Sequence, residues 1–214
     1  INNFPIGNFC CYKNGIQYFY FLMKVLYFSF LILFFSTNVA ISQNIGKAYF
    51  AGGCFWCMEE SFEKLEGVEE VISGYSGGIT ANPTYREVTY GDTGHFEVVE
   101  IIYDSEKISY EDLLKNFWVN IDPFDAYGQF CDKGYSYRSV AFYENEIQKN
   151  LIEKDVKKFE KKFKKKVVTY VKKFEIFYKA EDKHQDYYQE YFENYLRYKK
   201  ACKRERILSN IWDS

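Results

Sequence analysis

The chain has 214 residues with 28 basic against 30 acidic side chains, and its formal net charge of −2 excludes general attraction to nucleic acid or to an anionic membrane surface. With 47% hydrophobic and 27% charged positions it is neither disordered nor fibrous, and it is long enough to bury a sizeable core. Met23 and Lys24 introduce the apolar run from Val25 to Phe35, and Ala40-Ile41-Ser42 offers a small-x-small cleavage site, the pattern of a secretory signal peptide. On this reading translation starts at Met23, residues 1–22 with Cys10 and Cys11 are an upstream translation artefact, and 23–42 are the signal. The apolar run is shorter than the roughly 20 residues a membrane anchor requires. The expectation is an exported domain, periplasmic or secreted, spanning 43–214, with no stable membrane insertion after cleavage.

Within that domain, Lys47 to Ala51 reads as a buried strand closed by Gly52-Gly53. Phe55, Met58, Phe62 and Leu65 recur at helical spacing, and Gly67 offers a C-terminal cap. Val68 to Tyr75 reads as a second strand, followed by a long polar loop containing Gly77-Gly78, Asn82-Pro83, Gly91 and Gly94. His95 to Asp104 is apolar on both faces, which predicts a central strand. Ser109 caps the next helix with Asp112 as its box partner, and Tyr110, Leu113, Leu114, Phe117 and Trp118 form the buried stripe. An irregular loop from Asp122 to Arg138 precedes a short strand, Ser139 to Tyr143. A long helix carrying Ile147, Leu151, Ile152, Phe159 and Phe163, a strand near Val167 to Phe174, a final aromatic helix from Asp182 to Tyr195 and a charged, mobile tail complete the chain. Interleaved strands and helices without a repeat or linker predict one α+β domain, a two-layer α/β sandwich with a mixed central sheet, ferredoxin-like in character.

Four cysteines fall in this domain: Cys54, Cys57, Cys131 and Cys202. Gly52-Gly53-Cys54-Phe55-Trp56-Cys57 places one thiol where a strand gives way to a helix, a position whose free N–H groups and dipole favour a thiolate. Cys57, three residues on, shares the same helical face and is within reach of a disulfide. From spacing alone, a structural disulfide, half of a zinc site and two small buried hydrophobes stand beside redox chemistry.

The string Ala51-Gly52-Gly53-Cys54-Phe55-Trp56-Cys57 resembles the signature of the A-type peptide methionine sulfoxide reductases. Further matches follow in order: Ser73 to Gly78, Asn82-Pro83-Thr84-Tyr85, Gly91 to Glu97, Asp122-Pro123 with Gly128 to Asp132, Tyr137-Arg138-Ser139, and Ala180 to Tyr188. The resemblance implies that Cys54 attacks the sulfur of methionine sulfoxide and that Glu97 supplies the proton to its oxygen. Glu97 shares a strand face with Val99, Ile101 and Tyr103, so its burial and a raised pKa are expected. Tyr85 and Tyr137 are implied to donate hydroxyls to the sulfoxide oxygen, Phe55 and Trp56 to receive the substrate methyl group, and Asp132 to belong to the active-site loop. His95 and His184 are read as structural. The sulfenic acid left on Cys54 then needs a second thiol. Cys57, Cys202 in the tail and Cys131 compete for that role. Cys57 is favoured, although relatives with glycine at this position depart from this chain.

The resemblance implies no cofactor and no metal, a thioredoxin-like dithiol as external reductant, and oxidised proteins or free methionine sulfoxide as substrate. A monomer that binds no nucleic acid is expected. Two other classes stand beside this one. A thioredoxin-like disulfide oxidoreductase built on Cys54-x-x-Cys57 lacks a proline on a facing strand, because Pro83 and Pro123 lie in loops. A metal-binding module using Cys54, Cys57 and His95 lacks a fourth well-spaced ligand.

Overall fold

The computed structural model describes residues 44–213 together with Tyr20, Met23 and Lys24. The chain divides into two compact units, 1–42 and 43–214, and only the second is described in detail. The proposed artefact and signal segments, and the cleavage site at Ala40 to Ser42, lie outside the described residues apart from those three. Among the described residues no helix is long and apolar enough to cross a membrane.

Strands β1 (Ile45–Ala51), β2 (Val68–Ser76) and β3 (Phe96–Asp104) form the centre of a six-stranded sheet. Helix α1 (Phe55–Glu63) crosses from β1 to β2, and α3 (Tyr110–Val119) leads from β3 toward β6 (Val140–Tyr143). The spatial order β6-β1-β3-β2 is that of a split βαβ pair, the expected ferredoxin-like core. β7 (Tyr170–Lys173) pairs parallel to β6 and β8 (Phe177–Lys179) antiparallel to β2, so the sheet is mixed, as expected of the α+β class.

The central place of β3 follows from its two apolar faces. Val99, Ile101 and Tyr103 pack into the main core beneath α1 and α3, whereas Phe96 and Val98 pack into a second cluster on the other face with Tyr49, Ala51, Val140 and Phe142. Phe50, Phe62 and Phe117, all fully buried, stack across the helix–sheet interface at 5.6 and 4.7 Å between Phe50 and its two neighbours. α3 begins as the sequence indicates: the Ser109 hydroxyl accepts from Asp112 N at 3.2 Å. The 18-residue helix α4 (Glu146–Phe163) packs Ile152 and Phe159 into the same core.

Three segments differ from the sequence reading. The loop after β2 holds a short helix, α2 (Tyr85–Tyr90), started by a reciprocal capping box between Thr84 and Glu87. The loop from 122 to 138 contains a two-residue hairpin, β4 (Gly128–Gln129) with β5 (Asp132–Lys133), and a 3₁₀ turn at Tyr135–Tyr137. The expected helix over 182–195 is broken at Asp186, which sits in the left-handed region at φ 51°. It continues as α5 (Tyr187–Glu190), α6 (Phe192–Ala201) and α7 (Arg204–Trp212). The expected mobile tail is therefore ordered helix that returns to the core: Arg204 is 4% exposed, donates to the Asn120 carbonyl at 2.5 Å and lies 4.3 Å over the Phe130 ring.

A buried acid ties this C-terminal region to α1. Glu59 is fully buried and its Oε1 accepts from Asp186 N at 3.1 Å. Burial, reinforced by the nearby Glu63 and Asp186 charges and opposed by the Asp186 N–H, pushes its pKa up to about 8. The folded state thus holds a proton that the unfolded chain has already released above the ordinary carboxylate range. The stability this proton contributes is complete below pH 4.5 and is lost as pH rises through about 8. Glu59→Gln keeps the acceptor and removes the titration. Its thermal midpoint is expected to fall less between about pH 5 and 8 than that of the parent, and to lie a few degrees above it at pH 8. Parallel midpoint-against-pH curves for the two proteins would contradict this account.

Candidate active site

Cys54 stands at the N-cap of α1 because Gly53, at φ +82°, makes a turn that a side chain resists; a Cβ there would also come 2.6 Å from Gln129 Cβ. Gln129 is itself fully buried and clamps the following loop, accepting from Asp122 N and donating to Asp122 O, both at 2.8 Å. The thiol is 5% exposed. The N–H that the helix start offers next to it, that of Phe55, is taken by Glu97 Oε2 at 3.1 Å. Glu97 is 2% exposed, and its Oε1 has no hydrogen-bond partner among the described residues. Burial pushes the Glu97 pKa well up and the Phe55 N–H only partly offsets it, which favours the protonated carboxyl.

Around this pair the structure brings together the residues singled out from the sequence. The Tyr85 and Tyr137 hydroxyls face one another and the Glu97 carboxyl. Tyr85 is held from behind, its N–H donating to Glu181 Oε1 at 2.9 Å and its ring 4.3 Å from that of His184. Phe55 lies 6.1 Å from Trp56, 6.2 Å from Tyr85 and 5.5 Å from His184, and Trp56 stacks on Tyr187 at 3.7 Å. The result is an aromatic wall with hydroxyls and one acid at its base. Asp132 faces Cys54 from the loop and accepts a hydrogen bond from the Tyr198 hydroxyl.

The two histidines are used within the fold. His95 Nδ1 accepts from Gly78 N at 3.1 Å, which leaves Nε2 to donate to the Thr80 carbonyl at 2.7 Å. With both nitrogens engaged, His95 cannot complete a metal site with Cys54 and Cys57. His184 is buried between Tyr85, Phe55 and Trp56, and burial holds it neutral.

The thiols depart from expectation in two ways. Among the described residues Cys54 and Cys57 are free and buried, whereas Cys131 and Cys202 form a disulfide with a Cα separation of 5.0 Å across 71 residues of sequence. Cys202 is thus not a thiol at the end of a mobile arm; it is 7% exposed and bonded to the exposed Cys131. The surroundings of Cys54, moreover, oppose the expected bias toward a thiolate. Burial pushes its pKa well up, and so does its hydrogen bond to Cys57. Cys57 is pulled down to about 6, first by the Cys54 thiol donating to it and then, against burial, by Arg204, Tyr195 and Lys199. At the helix start the Phe55 N–H is taken by Glu97 rather than by the Cys54 sulfur.

Sequence reasoning missed Tyr195 and Tyr198, which pack over both thiols, and Glu60, Lys199 and Arg204 behind them. The spacing of Tyr195, Tyr198 and Cys202 on one helical face was the available signal.

The family model for peptide methionine sulfoxide reductase matches residues 46–214. A peptide methionine sulfoxide reductase of Streptococcus agalactiae is 55% identical over 114 residues, which cover 53% of this chain and 68% of that protein. Among solved structures, Mxr1 of Saccharomyces cerevisiae in reduced form has a TM-score of 0.65 at 26% identity, over 72% of this chain and 90% of its own. Methionine sulfoxide reductase A of Corynebacterium diphtheriae has a TM-score of 0.63 at 29% identity, over 70% of this chain and 76% of its own.

Proposed function

This chain belongs to the peptide methionine sulfoxide reductases, and we propose that it reduces methionine-S-sulfoxide, free or in proteins, with Cys54 as nucleophile and a thioredoxin-like dithiol as final reductant. The observation that carries this reading is the buried Glu97 carboxyl, which accepts from the Phe55 N–H beside the Cys54 thiol.

The sulfoxide methyl group lies against Phe55 and Trp56, and its oxygen points to Glu97 and the Tyr85 and Tyr137 hydroxyls. The Cys54 sulfur attacks the sulfoxide sulfur while Glu97 protonates the oxygen, and the proton that the Cys54 thiol gives up returns to the Glu97 carboxylate. Release of methionine leaves Cys54 as a sulfenic acid. Cys57, one turn into the same helix, then closes a disulfide and water departs. The Cys131–Cys202 bond supports Cys57 for this step, since it leaves no other free cysteine among the described residues. No prosthetic group enters the scheme. The apolar run from Val25 to Phe35 and the small residues after it support export of the domain, which acts as a monomer in repair of oxidised proteins.

One assay tests the reading. The protein is given a single equivalent of each sulfoxide epimer and its disulfides are mapped by peptide mass after methionine release. The S epimer is expected to react with the R epimer nearly untouched, leaving a Cys54–Cys57 link beside an intact Cys131–Cys202 bond. Equal rates on the two epimers would contradict the activity. A Cys54–Cys202 link as sole product would transfer the resolving role to the C-terminal cysteine.

A further inference from the structure

Cys57 sits in surroundings that the attack of Cys54 on substrate does not use. α6 passes over it, and Tyr195, 1% exposed, packs on both thiols. The Tyr195 hydroxyl lies between the Cys57 sulfur and Glu60, to whose Oε2 it donates at 2.5 Å. Lys199, one turn further along α6, donates to the same oxygen at 2.9 Å, and Lys64 holds Oε1 at 2.7 Å. These contacts hold Glu60 down at about 2 against burial. Glu60 is therefore a carboxylate whose charge two lysines already offset.

Arg204 approaches from α7. Its guanidinium is fixed by the Asn120 carbonyl, by Met58 Sδ at 3.3 Å and by the Phe130 ring. Between these elements a polar recess of about 330 Å³ reaches Cys57, bounded by Glu60, Lys64, Asn116, Asn120, Lys199 and Arg204. The titratable and charged groups around the sulfur are Cys54 and Glu60 on α1 with Lys64 just past its end, Glu97 on β3, Tyr195, Tyr198 and Lys199 on α6, and Arg204 and Glu205 on α7, where Glu205 also pairs with Lys199 at 3.5 Å. Two cations and a hydroxyl thus meet one buried sulfur at the floor of this recess.

We infer that Tyr195, Lys199 and Arg204 are positioning residues for the resolving step, an array on the C-terminal helices that presents Cys57 to Cys54 as a thiolate. The inference rests on the reading that Cys57 resolves. The depressed Cys57 pKa of about 6 agrees with it, its first cause being the hydrogen bond from Cys54 and its cationic cause Arg204 before Lys199. Tyr195 has one proton to give and two acceptors beside it. Because Lys64 and Lys199 already meet the Glu60 charge, the hydroxyl can turn to the sulfur. When Cys57 attacks, the S–S bond forms, the S–O bond of the Cys54 sulfenic acid breaks, and the departing hydroxide takes a proton from Glu97 to leave as water. The sulfoxide has already oxidised Cys54, so no further oxidant is needed.

The test needs no turnover and so stands apart from the resolving assay. Alkylation of Cys57 by iodoacetamide, read by peptide mass in the full chain with its Cys131–Cys202 bond intact, is followed from about pH 5 to 9. The parent should show a midpoint near 6. Lys199→Met and Tyr195→Phe are each expected to move the midpoint up by about one unit. That shift makes alkylation at about pH 6.5 roughly threefold slower and leaves it equal at about pH 9. Lys199→Arg should restore the parent profile. An unmoved midpoint, or a loss of rate uniform across pH as from altered packing, would overturn the inference. A Cys54–Cys202 link in the turnover experiment would instead remove the reading beneath it.

Discussion

Cys54→Ser is expected to abolish methionine release even in a single turnover, by a factor of ~10⁴ or more. The reason lies in what else is within reach of the sulfoxide. A serine hydroxyl at this N-cap cannot form the sulfur-centred intermediate, and the Glu97 carboxyl beside it, biased by burial toward its protonated form, is ill suited to activate the alcohol as a base. Cys57 lies one turn further along α1, whereas Cys54 stands at the N-cap next to the Phe55 N–H that holds Glu97. Serine is close in size to cysteine, so the fold and the Cys131–Cys202 bond should persist, and chromatographic quantitation of methionine against enzyme concentration measures chemistry alone. One methionine per Cys54→Ser chain would exclude Cys54 as the nucleophile.

The parts of the fold fixed by apolar periodicity were legible in the sequence. β3 alternates Phe96 and Val98 with Val99 and Ile101 on opposite faces, and such a strand has to be covered on both sides. Ser109, Phe55, Met58 and Phe62 marked helices in the same local way. Within the site, Gly53 and Cys54 declared the turn, and Glu97 declared a carboxyl among apolar neighbours. What could not be read were partnerships set by tertiary contact. The C-terminal helices carry so many lysines, arginines and tyrosines that they look like a solvated tail. Their order comes from Arg204 reaching the Asn120 carbonyl and from Trp212 reaching the Ile121 carbonyl at 3.2 Å. The Cys131–Cys202 pair is invisible for the same reason, since it joins a loop to a helix end far away in sequence. The protonation of the Cys54–Cys57 pair likewise depends on Glu97 taking the helix-start N–H and on Arg204 approaching the other thiol, neither of which is encoded in the Cys-x-x-Cys spacing.

Glu97→Gln is expected to leave the fold intact and to slow single-turnover methionine release by something on the order of 10² to 10⁴, the usual weight of a general acid. Glutamine keeps an oxygen to accept the Phe55 N–H, so the geometry that seats Cys54 against β3 survives. What is lost is the proton. In the parent, burial raises the Glu97 pKa well above the ordinary carboxylate range, with the Asp132 and Cys57 charges adding to it and the Phe55 N–H opposing it. A raised carboxyl pKa means that the active, protonated form persists above the ordinary carboxylate range and is titrated away as pH rises through the folded value. The parent rate should therefore fall on the alkaline side, and the same shift should erode stability there, because the folded state holds a proton that the unfolded chain has released. The variant has no such group, so its residual rate should lack that descending limb. Stopped-time measurement of methionine release from about pH 6 to 10 separates the two profiles. A Glu97→Gln protein that keeps the parent rate together with its alkaline fall would place the proton donor elsewhere, with the Tyr85 and Tyr137 hydroxyls as the next groups facing the same space.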